Sequence, residues 1–338
     1  MGDEFKKMRR HNSSSLYMNY LDKYRLKNGA DKLKIHFNNL FSKNKNYALM
    51  LLNSSTLKYP SLFVLKDEIS RLDISNNLSA RNKSALDITD KIFNNNMSLI
   101  YEKDNYDILS WMLNTGYMVD GLNQRYDELL DKTAILLIKV HNDTNCLNAI
   151  EHLIFSRHRK GDFIYDLVWV FLESKNPKCI DMLVKRLLSN NEKDILLSKK
   201  LLDFVPCINS ESTRNKALLY HKTAKWVKDN SNFIYYHGDH FHQTPKPSTF
   251  RLSLENKYLQ NTTHLKSSEN KRSYTDFEVT AIDSFRNLDP DSQKLLSDYS
   301  HYLHKHNSNK WRSWIGKSIS EQLAIAQSGN IKEYNKGK

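Results

Sequence analysis

The sequence predicts an all-α protein: an irregular α-solenoid of stacked helical hairpins, followed by an irregular segment and a C-terminal helical unit. Three observations predict it. Only 9 Gly and 6 Pro occur in 338 residues, few for a β-rich chain that must make many tight turns. Leu, Ile and Phe recur at steps of three and four, and no segment between residues 105 and 208 alternates as a half-buried strand does. From about residue 125 the helical pattern also repeats, at an offset of 33 residues.

Taken in order, residues 1–12 read as a basic flexible tail, with the cluster "KKMRRH". In "SSSLYMNYLDKYRLKNG" an apolar stripe of Leu16, Tyr17, Tyr20, Leu21 and Tyr24 predicts a docking helix, with Ser13–Ser15 as caps and Gly29 as its stop. "DKLKIHFNNLF", "NYALMLLN" and "SLFVLKDEISRL" follow as short helices; "NNLSARNKS" reads as a loop, and helices resume from Ser84. Beyond Asn105 the pattern strengthens: "YDILSWMLNTGY" ends at Gly116, and "NQRYDELLDKTAILLIKV", "CLNAIEHLIF", "DFIYDLVWVFLES", "PKCIDMLVKRLLS" and "EKDILLSKKLLDFV" succeed one another across short polar joints. "NKALLYHKTAKWVKDN" adds a helix anchored by Trp226. Residues 13–230 thus form the predicted solenoid. Residues 231–275 lose periodicity, apart from the short island "FRLSLENKYL". Helices return over residues 276–328 as a C-terminal unit, and 329–338 read as a tail.

The 33-residue step sets Cys146 on Cys179, Leu147 on Ile180, Ile150 on Leu183 and Ile154 on Leu187. It also sets Ile135 on Val168 and Ile138 on Phe171, and a further step reaches Leu201 and Phe204. One helical hairpin cannot bury its apolar face alone, so repeats of this length stack. With the turn Asn176-Pro177 and the helix form CIxxLxxxLL, residues 125–208 resemble HEAT-type repeats. That resemblance implies a stacked-helix scaffold that binds macromolecules, without naming the partner. Phe171, Leu183, Leu187, Leu201 and Phe204 are the expected core.

The chain carries 51 Lys and Arg against 38 Asp and Glu, a net charge of +13. Such a balance favours an anionic partner: nucleic acid, a membrane surface or an acidic protein. The excess is +4 over residues 1–30, +5 over 31–230 and +4 over 231–338, thinner than a dedicated nucleic-acid binder concentrates. The three cysteines make no CxxC pair, and Cys146 and Cys179 read as small core hydrophobes. No apolar run approaches the roughly 20 residues of a membrane span. The N-terminal charges precede no apolar stretch, unlike a secretory signal, so a cytoplasmic location is expected.

Several clusters carry chemistry. In "HGDHFHQ", His237, Asp239, His240 and His242 offer nitrogen and oxygen donors for a transition metal. Their spacing resists convergence, because an extended backbone aligns His240 with His242 while a helical turn aligns His237 with His240. A polar loop is the favoured reading, and no HExxH motif supports a catalytic centre. No GxSxG, GxxxxGK[ST] or GxGxxG motif occurs either, so no cofactor is expected. "SRHRKGD" gathers Arg157, His158, Arg159 and Lys160 at a joint between two helices, where they would meet phosphates or an acidic partner. In "WRSWIG", Trp311 and Trp314 around Arg312 suit base stacking or, more simply, a packing clamp. The expected function is a non-enzymatic scaffold or adaptor for a protein partner. The alternatives are nucleic-acid binding through the basic tail, Arg157–Lys160 and Trp311–Trp314, and a metal-dependent hydrolase centred on His237–His242.

Overall fold

The computed structural model describes residues 18–94, 103–119, 121–209, 215–237, 250–261 and 276–328. Among them are 18 α-helices and one pair of three-residue strands, so the protein is predominantly helical. The chain divides into two compact units, residues 1–174 and 175–338.

The first unit contains α1 (Tyr20–Asn28), α2 (Ala30–Lys43), α3 (Lys45–Leu52), α4 (Tyr59–Val64), α5 (Lys66–Arg71), α6 (Ala80–Phe93), α7 (Tyr106–Gly116), α8 (Gln124–Lys139), α9 (Leu147–Lys160) and α10 (Tyr165–Glu173). Asn19, Asn44, Ser79 and Asn123 accept first-turn N–H groups of α1, α3, α6 and α8, a contact whose loss costs about 1 kcal/mol at each cap. Asn19 therefore starts α1, and the expected caps Ser13–Ser15 lie outside the described residues. Gly29 ends α1 as expected. The supposed loop "NNLSARNKS" differs from expectation, because α6 begins at Ala80, four residues before Ser84. Its polar residues are held by neighbouring elements: Asn82 is buried and donates to the Leu52 carbonyl at 2.8 Å. The Arg81 guanidinium lies 4.3 Å from the Trp111 ring centre.

A buried polar relay joins α1 to α4. Ser61 donates its hydroxyl to Asp22 Oδ1 at 2.6 Å and accepts from Arg25 Nε at 3.0 Å, while Asp22 Oδ2 accepts from the Lys58 amide. Burial pushes the Asp22 carboxyl up and the Arg25 guanidinium down from their ordinary pKa values. Nearby, α7 packs on α8, and α10 packs on both α8 and α9. Gly116 permits the first of these contacts: a Cβ there would stand 2.6 Å from the Tyr126 hydroxyl, which donates to the Gly116 carbonyl.

The second unit contains α11 (Pro177–Arg186), α12 (Glu192–Leu201), α13 (Lys216–Asn230), β1 (Ile234–Tyr236), β2 (Phe250–Leu252), α14 (Leu254–Leu259), α15 (Asp276–Arg286), α16 (Pro290–His306), α17 (Ser308–Ile315) and α18 (Ile319–Ser328). The "FRLSLENKYL" island within the aperiodic stretch becomes β2 and α14. The strands pair antiparallel, Ile234 opposite Leu252 and Tyr236 opposite Phe250; three residues are too few to display an alternation in sequence. α14, α17 and α18 each pack on α16. Tyr258 stacks on Phe285 at 4.6 Å, and Leu296, Leu303 and Ile315 complete this core.

Phe171, Leu183 and Leu187 are buried as expected. The second 33-residue step holds less well. Leu201 is the last residue of α12, Phe204 lies beyond it, and both are half-buried. Phe204 instead packs edgewise on Trp226 and against Phe250, at 6.2 and 5.8 Å. Because Phe171 is fully enclosed, Phe171→Ala is expected to cost about 3–5 kcal/mol, read as a lower urea midpoint with an unchanged slope.

Candidate functional site

The basic stretch from Ser156 to Lys160 forms no joint. It is the last turn of α9, which Gly161 ends in the left-handed conformation. Cations in a final turn face the negative end of the helix dipole, which explains why the helix runs through them. Arg157 is buried, and its guanidinium meets the Asp131 carboxylate at 2.8 Å and the Asp127 carbonyl at 3.2 Å. His158 and Arg159 are half-buried, and Lys160 is exposed. Phosphate or an acidic partner would therefore have to displace Asp131 to reach Arg157.

The tryptophans take up packing positions in the second unit. Trp314 is buried, edge-on to Tyr299 at 5.3 Å and to Tyr258 at 6.1 Å. Its indole N–H donates to the Gln322 carbonyl at 3.3 Å. Gln322 is itself buried; it accepts from the Tyr258 hydroxyl and donates to the Ile315 and Lys317 carbonyls. Trp311 is half-buried and donates to Ser300 Oγ at 2.8 Å. Arg312 is exposed. His237 is exposed at the end of β1, whereas Asp239, His240 and His242 lie outside the described residues.

A different feature stands out. Between α11 and α13 runs a groove of about 380 Å³. Its lining includes Ile180 and Val184 from α11, Val227 from α13 and Ile234 from β1, all buried, and half-buried Tyr220 and Ala224 from α13. Lys185 and Lys228 stand on the two walls, with Asp181 beside Lys185. The spacings 180, 184 and 220, 224, 227 are helical stripes, so each helix turns one continuous face into the groove. Reading helices one at a time assigns both stripes to the core. With α13 packed on α11 across a sequence gap of about 30 residues, Ile180, Val184 and Val227 are indeed buried, and only Tyr220 and Ala224 are half-buried.

The walls are held at both ends. Asn176 caps α11 ahead of Pro177, and buried Asp194 accepts from Ser189 at 2.7 Å in the joint between α11 and α12. Lys216, at the start of α13, donates to the Ser189 carbonyl at 2.8 Å. At the other end of α13, Asn230 Oδ1 accepts from the ammonium of Lys257 at 2.7 Å. Lys257, buried on α14, also pairs with Asp298 on α16. Lys305 on α16 reaches Asp229 at 3.2 Å. His301 completes the cluster, its Nδ1–H donating to Gln260 Oε1 at 3.1 Å and its ring lying edge-on to Phe233. Burial first, then the cations Lys257 and Lys305, lower the His301 pKa to about 4.

Among the described residues no group of three or more His, Cys, Asp or Glu side chains could hold a metal ion, and no helix is long and apolar enough to cross a membrane.

Removing one partner of a buried ion pair strands the other, so Lys257→Met is expected to cost about 3 kcal/mol, with Lys257→Met/Asp298→Leu recovering much of it. His301 tests the same cluster by titration. Its folded pKa of about 4 lies below the ordinary 6.5, so the unfolded chain takes up the proton first as pH falls. The stability this gives is present above pH ~6.5 and is lost between there and ~4. In the Lys257→Met chain the His301 resonance should titrate at higher pH in NMR spectra. An unmoved His301 would place Lys257 away from it.

No protein-family model matches the sequence, and neither a curated protein nor a solved structure is detectably similar to it.

Proposed function

We propose that the protein is a non-enzymatic scaffold or adaptor that binds a macromolecular partner along stacked helices. The groove between α11 and α13 carries this reading, since exposed Lys185 and Lys228 and half-buried Tyr220 and Ala224 line it. The HEAT-like step of 33 residues supports the same reading, because solenoid surfaces serve as extended docking platforms. The packing of α8 on α10 and of α9 on α10 is compatible with stacked hairpins in the first unit.

Charge favours an anionic partner. The second unit carries 27 Lys and Arg against 17 Asp and Glu, a net of +10, whereas residues 1–174 carry 24 against 21. Nucleic-acid binding is the second reading, and this asymmetry is the observation that favours it. The engagement of Arg157 by Asp131 and the burial of Trp314 weigh against it. A cytoplasmic location accords with the proposal and forms part of it.

Full-length protein used as bait in extract of its native host should retain a partner in near-stoichiometric amount. The complex should survive nuclease treatment and keep a defined mass in light scattering. Loss of the partner on nuclease treatment would favour the nucleic-acid reading, and absence of any stoichiometric partner would overturn both.

A further inference from the structure

We infer that the hairpin of α1 and α2 binds single-stranded nucleic acid, with Tyr20 as its stacking face. The inference goes beyond the adaptor reading and does not use the α11–α13 groove, which belongs to the other unit. On α1 the inward face is taken by Leu21, Asp22 and Arg25, all buried. The tyrosines that read in sequence as part of an apolar stripe therefore turn outward. Tyr20, Lys23, Tyr24 and Lys27 stand at i, i+3, i+4 and i+7, which places them on one face; Tyr24 is half-buried and the other three are exposed. On α2, exposed Lys32, half-buried His36 and exposed Lys43 share a face at steps of four and seven. The two rows meet. The rings of Tyr24 and His36 stack with centroids 3.9 Å apart and planes within 9°. The Tyr20 hydroxyl and His36 Nε2 share a hydrogen bond of 3.0 Å. The Tyr20 ring leans towards both, with centroids at 6.3 and 5.7 Å, and remains 42% exposed.

Single-strand recognition combines two parts, a π-face for a base and cations for the backbone. The hairpin supplies both. Three aromatic rings are held together at its surface, and Lys23, Lys27, Lys32 and Lys43 flank them. The bond to His36 fixes Tyr20 before a base arrives, so less rotamer freedom is lost on stacking. Buried Trp314 offers no such face. Charge on the hairpin has one dominant sign. Its two helices carry the acids Asp22 and Asp31. Asp22 is buried and bridged to Arg25 through Ser61, and Asp31 lies about 100° around α2 from Lys32. From Lys32 to Lys43 the cationic row runs about 16 Å at 1.5 Å per residue, the reach of a short strand. A duplex fits less well, because its bases stack on one another and show only their edges in the grooves. An acidic protein segment would meet the lysines but brings no regular supply of flat faces to Tyr20.

The test uses the full chain and fluorescent strands of about ten nucleotides, as RNA and as DNA of one sequence. A base-free strand of the same length and a duplex serve as comparisons. A single strand should bind saturably and more tightly than either comparison, and the tighter of RNA and DNA identifies the source. Tyr20→Ala should weaken binding about tenfold with an unchanged melting temperature, since the position is exposed. Tyr20→Trp should hold or strengthen binding, which misfolding cannot mimic. Lys23→Ala/Lys27→Ala should make the slope of log affinity on log salt shallower by about 1.4. Phe163→Ala, which removes an exposed ring between α9 and α10, should leave binding unchanged. Equal binding of the base-free strand, preference for the duplex, or indifference to Tyr20→Ala would overturn the inference. So would failure of the Tyr20→Ala chain to capture a host protein that the parent retains, which would make the patch a protein contact. If no strand binds while a host protein is retained, the inference fails and the adaptor reading stands. If the strand binds as expected and no protein is captured, the adaptor reading fails and the inference stands.

Discussion

The ammonium group of Lys257 is the contact on which the geometry of the second unit depends. It is withdrawn from water on a six-residue helix, and its charge is met from two directions, by Asn230 at the end of α13 and by Asp298 on α16. A buried cation tolerates few arrangements of its neighbours, because each lost hydrogen bond exposes the full desolvation cost of the charge. The requirement fixes where α13 ends relative to α16, and α13 is one wall of the groove. His301 feels the same charge and stays neutral beside it. The apolar core of Tyr258, Phe285 and Trp314 supplies burial without direction. Direction comes from the ion pair.

The first unit solves a similar problem differently. Asp22 and Arg25 lie on one short helix and are bridged through Ser61, so their opposite charges share a hydroxyl instead of a direct contact. Both groups carry the cost of burial in their shifted pKa values. Each unit thus holds a charged pair inside a helical core, joined to residues about 40 positions away in sequence. Such pairs add little net stability, and their effect is to disfavour alternative packings in which one member is stranded.

Helices were legible in the sequence because their stripes are local: α7 through α11 fall where steps of three and four place them. What depended on distant partners was not. Arg157 stands in a run that reads as a solvated joint, and only Asp131, 26 residues earlier, reveals it as an interior residue. Lys257 follows Leu254 by three positions and precedes Tyr258, so it occupies the stripe that faces α16, a signal open to a reader who asks why a lysine stands there. Ser79 is an ordinary cap for α6, but the polar residues around it resemble a loop in sequence. The groove could not be read at all, because it lies between two helices about 30 residues apart in sequence whose stripes are core. The Trp311–Trp314 pair was legible in its simpler sense, as a clamp closed by Ser300 and Gln322.

The three thiols are graded in accessibility. Cys146 and Cys179 are fully enclosed, one in each unit, while Cys207 is half-buried. A disulfide-exchange reagent in native buffer would consume Cys207 first and reach the other two only through opening of the surrounding helices. Cys146 and Cys179 thereby act as clocks, one for each unit. Their relative rates of modification would tell whether the two units open together or apart, with no label introduced and no residue changed.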